Sequence, residues 1–356
     1  MTLSHFCQTL QLDSPIVQAP MAGGATTPEL VSSVCNAGGL GSLAAGMLAP
    51  AAIQSAVAAI RALTVRPFVI NLFVLETPHP DPQQIEQAQQ CLAPFYAELG
   101  ITPSLPQKWC ENFSQQLETV LALSPQLISF TFGIVNRETV ARCHAAGSQV
   151  IGTATTVAEA MAWQEVGADA VCVQGAEAGG HRGSFLADPQ TSMVGSLALI
   201  PQVVDAVSIP VIAAGGVMDG RGVAACLLLG ASAVQLGTAF LSCPEAGIDS
   251  AYRQLLLNAH DDGTRVTRTF SGRAARGLEN TFMRRMAAFE ASVPAYPLQN
   301  ALTGPIRKAA ALAGRSEYLS LWAGQGVGMS RALPAALLIE RIEAERQDCL
   351  RAMATN

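Results

Sequence analysis

Residues 210–241 read PVIAAGGVMDGRGVAACLLLGASAVQLGTAFL. An apolar run rich in β-formers at 211–214 ends in Gly215-Gly216. A helical stretch opens near Asp219, and a second apolar run at 233–236 leads into Gln235-Leu236-Gly237-Thr238. Strand, helix and strand in succession make a βαβ unit. Gly215 and Gly216 leave backbone N–H groups uncovered by any Cβ at the carboxyl end of the first strand, so amides and the dipole of the following helix can hold an anion there. A single Gly-Gly would serve a tight turn equally well. Two small-residue turns, a helix and a strand apart, with a hydroxyl at Thr238, point instead to a phosphate.

The same rhythm extends in both directions. Further strands are expected at 16–19, 39–43, 68–73, 128–132, 149–152 and 170–174, most of them followed by an Ala-rich helical stretch. With 211–214 and 233–236 they make eight, the number that closes a (β/α)8 barrel of the TIM type, in which the loops after strands seven and eight form the usual phosphate site. The runs at 68 and 211 are continuously apolar, as in a parallel sheet covered on both faces. Pattern alone leaves an open doubly wound α/β sheet as the alternative. Two stretches interrupt the alternation: a Pro- and Gln-rich helical insertion after strand three, about 75–124, and a smaller α+β insertion after strand eight, 243–314, containing TRVTRTFSGRAARGL. The expected division is therefore a barrel over 1–242 and 315–356, closed by a helix at 333–353, and a substrate or lid subdomain over 243–314. Both insertions would lie over the carboxyl ends of the strands.

Composition narrows the function. The chain has 356 residues, half of them apolar, a net charge of −6 and a sequence pI near 5.4. That balance offers no basic field for a nucleic acid. No apolar run is long enough to span a bilayer, and the first residues do not read as a signal peptide, so a cytoplasmic location is expected. The nine cysteines are scattered, without a Cys-x-x-Cys pair, and read as reduced thiols.

Three more loops carry chemistry. After strand six comes CVQGAEAGGHRGSF, residues 172–185. Gln174 offers an amide that both donates and accepts, suited to a flavin or nucleobase edge. Gly179 and Gly180 let the loop pass close to a ligand and present His181, a general base or a positively charged hydrogen-bond donor to an anion. Arg182 is expected to pair with Glu177 or, as the second reading, to face substrate. The first loop, PMAGG at 20–24, presents Met21, whose sulfur suits a planar ring as well as it suits packing. Asn71, at the end of strand three, is costly to bury unpaired and so is expected to meet backbone or, given its position, a cofactor. A nicotinamide-type Gly-x-Gly-x-x-Gly after strand one, a Gly-x-Ser-x-Gly elbow and clustered metal ligands are missing from the sequence. Redox chemistry by a phosphate-bearing flavin accounts for what is present; no loop spells the substrate.

In order along the chain, QAPMAGG, NAGGLG, the Asn71 strand, FTFG, IGTATT, QGAEAGGHRGSF, AAGGVMDGRG, QLGTAF, FSGRAARG, YPLQNALT and WAGQG resemble the signatures of the nitronate monooxygenases, formerly called 2-nitropropane dioxygenases. The resemblance spans nearly the whole chain. It implies an FMN barrel in which Asn71, Gln174, Gly179, Gly216 and Gln235 through Thr238 (Gln235, Leu236, Gly237, Thr238) contact the cofactor and His181 is catalytic. It further implies oxidation of alkyl nitronates, propionate 3-nitronate among them, with O2 to an aldehyde or ketone plus nitrite. Tyr252 and Tyr296 are candidates for the substrate wall. Asn300 and Gly304 stand where family members place aromatic or Lys residues. Two rival readings remain: an FMN-dependent NAD(P)H reductase of the enoyl or quinone type, and a barrel that binds FMN or another phosphate ligand without catalysis. Oligomeric state is not legible.

Overall fold

A computed structural model describes residues 3–186, 188–189 and 192–354. Eight parallel strands, Ile16–Gln18, Gly41–Ala44, Phe68–Phe73, Leu127–Thr131, Gln149–Ala154, Ala170–Gln174, Val211–Ala214 and Ala233–Leu236, pair in barrel order, with the first strand beside the eighth. The ring closes between the first strand and the second: Val17 bridges Leu40 in parallel, Gln18 N donates to Leu40 O and Leu40 N to Ile16 O, both at 2.9 Å. That closure removes the open-sheet alternative, because an open sheet would leave these groups as edges.

Helices form where the sequence supplies caps and apolar stripes. Thr27 accepts from Leu30 N at 3.0 Å and Pro28 opens the helix Pro28–Asn36, whose Leu30, Val31 and Val34 are buried against the barrel. Asn112, Asn136 and Thr156 cap Phe113–Leu123, Arg137–Ala145 and Val157–Val166 in the same way. The last helix, Ala335–Ala354, packs on Gly220–Leu228 and Pro28–Asn36 and completes the outer ring. At the amino end of the strands the short helix His5–Thr9 plugs the barrel. Its Phe6 and Cys7, with Leu10, pack under the inward-facing Val17, Val69, Ile151, Cys172 and Ile212.

The stretch 75–124 divides into two parts with different fates. Helix Phe113–Leu123 packs on the third strand and on Pro50–Leu63, and so is the barrel's own third helix. Helix Pro82–Glu98 leaves the barrel and packs against Leu298–Leu312 of the second excursion. Ile85, Leu92, Phe95, Phe270, Phe282, Leu302 and Ile306 share one apolar core there, and Tyr96 Oη donates to Leu302 O at 2.6 Å. Glu98 receives Arg285 Nη2 at 2.7 Å and locks the two pieces at the surface. Within the second excursion, Thr264–Thr267 and Ala275–Leu278 form an antiparallel hairpin, and Ala275 and Arg276 pair with His181 and Gly180. The loop that carries His181 is thus held as a third strand by residues almost a hundred positions away. Among the described residues no helix is long and apolar enough to cross a membrane.

Candidate active site

A cavity of about 630 Å³ opens at the carboxyl ends of the barrel strands, within the usual range for a small-molecule or cofactor site. Of the residues singled out from sequence, Met21, Asn71, Gln174, Gly179, His181, Gly215, Gly216, Gln235, Gly237 and Thr238 line it. Leu236 does not: its side chain is buried in the outer core with Ile16, Leu30 and Val34, and its carbonyl accepts from Ala19 N at 2.9 Å.

On one wall the loops after strands seven and eight present backbone donors. The amides of Gly215, Gly216, Gly237 and Thr238 donate to no atom of the described residues. Gly215 and Gly216 lie at φ 125° and 71°, where a Cβ is strained, and a Cβ on Gly216 would come within 2.9 Å of Glu177 Cβ. Such a bare, concave set of amides is an anion cradle. The helix after Gly216 adds less than its position suggests. Asp219 accepts from Gly222 N at 3.1 Å and Glu345 from Gly220 N at 3.1 Å, so its amino end is already met by carboxylates. The uncapped short helix Thr238–Leu241 supplies the open end instead. Gly324 of the WAGQG segment donates to Thr238 Oγ1 at 2.9 Å, and a Cβ on Gly326 would meet Gly216 O at 2.5 Å, so this segment clamps both turns.

Asn71 is buried, and Nδ2 donates to Ser129 O, Ser129 Oγ and Thr131 Oγ1 at 3.3, 2.9 and 3.2 Å. Its Oδ1 has no partner among the described residues. Gln174 reaches the His181 loop rather than open space. Nε2 donates to His181 O at 3.0 Å and Oε1 accepts from Gly183 N at 2.9 Å. Arg182 forms no ion pair with Glu177. It is buried, donating to the carbonyls of Gln174, Gly175 and Ser192 at 3.0, 2.7 and 3.0 Å, while Glu177 accepts from Ser196 N and Oγ at 2.9 and 2.8 Å. Loop carbonyls turned inward need a donor, and Arg182 supplies it.

His181 stands on the opposite wall. Its ring sits among Phe132, Tyr296 and Trp322, with centroids 5.5, 5.7 and 5.3 Å away. Nε2 lies 2.8 Å from Ser271 Oγ, and Ser271 Oγ also lies 3.1 Å from Arg273 O. Nδ1 has no partner among the described residues. Burial, and then the charges of Arg273 and Arg307, push its pKa down to about 3. Of the two roles expected of it, the neutral imidazole is therefore the one this site favours. Arg273 donates to Arg182 O and Ser184 O and lies 4.4 Å over the Phe132 ring; Arg307 donates to Asn300 O and Oδ1. Burial lowers both guanidinium pKa values to about 10, and neither is in an ion pair among the described residues. Tyr252 Oη donates to Trp322 O at 2.5 Å, and burial pushes the Tyr296 hydroxyl up to about 12.

This arrangement has close parallels. The family model described as nitronate monooxygenase matches residues 5–345. The chain belongs to the nitronate monooxygenase family. A probable nitronate monooxygenase from Staphylococcus aureus is 42% identical over 341 residues, covering 95% of this chain and 96% of the relative. The structure of a nitroalkane oxidase from Streptomyces ansochromogenes superposes with a TM-score of 0.91 at 41% identity, covering 98% of this chain and 99% of that one. FabK from Thermotoga maritima gives 0.79 at 26% identity, covering 100% and 99%. In this nitronate monooxygenase Asn300, Gly304 and Arg307, all on one helix of the second excursion, line the cavity. Ser271, Arg273, Arg307 and Trp322 were not singled out individually from sequence. FSGRAARG marks the first two by its density of Arg, but nothing local says that it meets His181.

Proposed function

We propose that this chain oxidises alkyl nitronates with FMN and O2, giving an aldehyde or ketone and nitrite. The observation that carries the reading is a single cavity lined by the bare amides of the Gly215-Gly216 and Gly237-Thr238 turns and by His181, with no carboxylate among the described residues paired to the guanidinium of Arg307 on its wall. The donor set fits FMN: four free N–H groups suit a phosphate, Asn71 Oδ1 and Gln235 suit the polar edge of a flavin, and Met21 and Gly179 line the same cavity. Gln174 acts by fixing the His181 loop. Bound FMN supplies the redox chemistry, taking electrons from the substrate and passing them to oxygen.

The chain's own residues do the rest. The positive field of Arg273 and Arg307 favours an anionic nitronate over its neutral acid. Ser271 carries one hydroxyl hydrogen and has two acceptors in reach. When it donates to His181 Nε2, Nδ1 bears the proton and donates to a nitro oxygen of the nitronate. When it donates to Arg273 O, Nε2–H points at Ser271 and Nδ1 is free to take the α-proton of a neutral nitroalkane. Phe132, Tyr296 and Trp322 exclude water around the exchange. The same reading makes the 243–314 excursion the substrate wall of the barrel formed by 1–242 and 315–356.

Anaerobic mixing of the FMN-loaded protein with propionate 3-nitronate, and separately with NADH, tests this. Loss of flavin absorbance with the nitronate, then oxygen uptake and nitrite on aeration, is expected. Bleaching by NADH alone would make the protein a reductase, and no response to either donor would leave a binding barrel. His181→Asn is expected to keep its flavin and lose most turnover.

A further inference from the structure

We propose that Arg307 is a specificity-determining residue that binds a carboxylate on the tail of the substrate, at the far end from the nitronate carbon. The inference rests on the nitronate reading and adds the chemical class of the tail.

Helix Leu298–Leu312 places Asn300, Gly304 and Arg307 on one face, at the i, i+4 and i+7 spacing, and all three line the cavity. Asn300 holds the guanidinium from one side, accepting from Nη2 through O at 2.8 Å and Oδ1 at 2.9 Å. Nε is buried without an acceptor, and Nη1 has none among the described residues. A desolvated cation that meets only neutral oxygens is stable in this position when an anion arrives to share it. The space for one exists, because a Cβ built on Gly304 meets nothing within 4 Å. Gly304, which lines the cavity on the same helix face, thus leaves that stretch of wall without a side chain.

Position sets the orientation. The amide cradle belongs to strands seven and eight, whereas Tyr296 packs on Phe73 and Phe132 at the ends of strands three and four, across the barrel. The Tyr296 ring lies 5.7 Å from that of His181, and the helix that begins two residues later carries Arg307 into the wall of the same cavity. A substrate with its reacting carbon at His181 therefore extends its tail toward Arg307, away from the cradle. The carboxylate of the cavity wall, Asp249, is turned to its own helix, accepting from Tyr252 N at 2.8 Å.

The test compares kcat/KM for propionate 3-nitronate with that for butyl 1-nitronate, of similar length and uncharged tail, in the native enzyme, Arg307→Lys, Arg307→Gln and Lys308→Met. Loss of one charge-assisted hydrogen-bonded pair lowers the preference for the carboxylate substrate by roughly ten- to a hundredfold in Arg307→Gln, with Arg307→Lys between the two. Lys308→Met, the neighbouring lysine that also borders the cavity but is exposed to solvent, shifts it far less. An unchanged preference in Arg307→Gln, or an equal drop in Lys308→Met, overturns the assignment. Calorimetric binding of 3-nitropropionate to the FMN-loaded proteins separates the two failures. If the native enzyme turns over neither nitronate, the proposed function fails; weaker binding of 3-nitropropionate by Arg307→Gln then still supports the carboxylate site, and equal binding overturns it.

Discussion

The protonation of His181 can be followed directly as pH falls. Its pKa near 3, set by burial and then by Arg273 and Arg307, lies well below the ordinary value of about 6.5. At pH 5 roughly one ring in a hundred carries a proton, against nearly all of them for an unperturbed imidazole. The sign for stability follows. Between pH 6.5 and 3 the unfolded chain holds a proton at this residue that the folded chain does not, so the contribution is constant above pH 6.5 and declines below it. Well below pH 6.5 the slope approaches the linkage limit of about 1.4 kcal/mol per pH unit, for a loss of about 2 kcal/mol between pH 6.5 and 4.5 relative to a His181→Asn variant lacking the group. Histidine-labelled protein, read by NMR from pH 8 to 5, shows five ring signals at most, and His181→Asn identifies the one to follow. That signal is expected to stay at the neutral position throughout, and urea unfolding of the two proteins to converge toward acid with the stated slope. A midpoint between pH 6 and 7 would refute the reasoning, since it would mean that water in the cavity solvates the ring and that the guanidiniums do not reach it.

Gly216→Ala places a Cβ at φ 71° and 2.9 Å from Glu177 Cβ, a backbone cost of roughly 1–2 kcal/mol before any clash; weakened FMN retention on gel filtration, with the fold intact by circular dichroism, is the expected result. Arg182→Met leaves the carbonyls of Gln174, Gly175 and Ser192 without their donor, so a loss of about 3 kcal/mol in urea unfolding is expected, with Arg182→Lys recovering part of it. The Glu98 carboxylate is held down to about 2 by Arg285 and Tyr318. Its contribution is present above the ordinary carboxylate range and lost as pH falls toward 2. Limited proteolysis between Pro82–Glu98 and the second excursion should accelerate in acid, and Glu98→Gln should show the faster cleavage already at pH 7.

The barrel was legible because a parallel strand buried on both faces needs an unbroken apolar run, and the runs at 68, 170, 211 and 233 begin and end as expected. Closure was not, since it depends on which backbone groups of Ile16, Gln18 and Leu40 meet. The two turns with bare amides were legible because Gly-Gly and Gly-Thr recur at the ends of neighbouring strands. The helical insertion was read as one block because Pro- and Gln-rich composition says nothing about the partner of each helix. Phe113–Leu123 covers the barrel and Pro82–Glu98 does not, a difference set by the apolar face each one shares with distant residues. Arg182 was misread for the same reason. A carboxylate five residues away looked sufficient, but the loop folds its own carbonyls around the guanidinium. Asn300, Gly304 and Arg307 carry a local signal, the i, i+4, i+7 face with its smallest residue in the middle. That spacing acquires meaning only once the helix is known to border a cavity.

The second excursion explains why a histidine at the end of a barrel strand is neutral at all. A loop after the sixth strand, taken alone, would leave His181 in water with an ordinary pKa. Pairing with Ala275 draws it into a small sheet, the ring of Phe132, Tyr296 and Trp322 dries it, and Arg273 is carried in by the same hairpin two residues before that pairing position. Desolvation and positive charge then act in one direction on the imidazole, both disfavouring a proton, and in opposite directions on a bound anion, which loses water but gains two cations. The Coulomb gain must exceed the desolvation cost for an anion to enter. Leaving Arg273 and Arg307 without carboxylate partners meets that condition, because no resident negative charge has to be displaced.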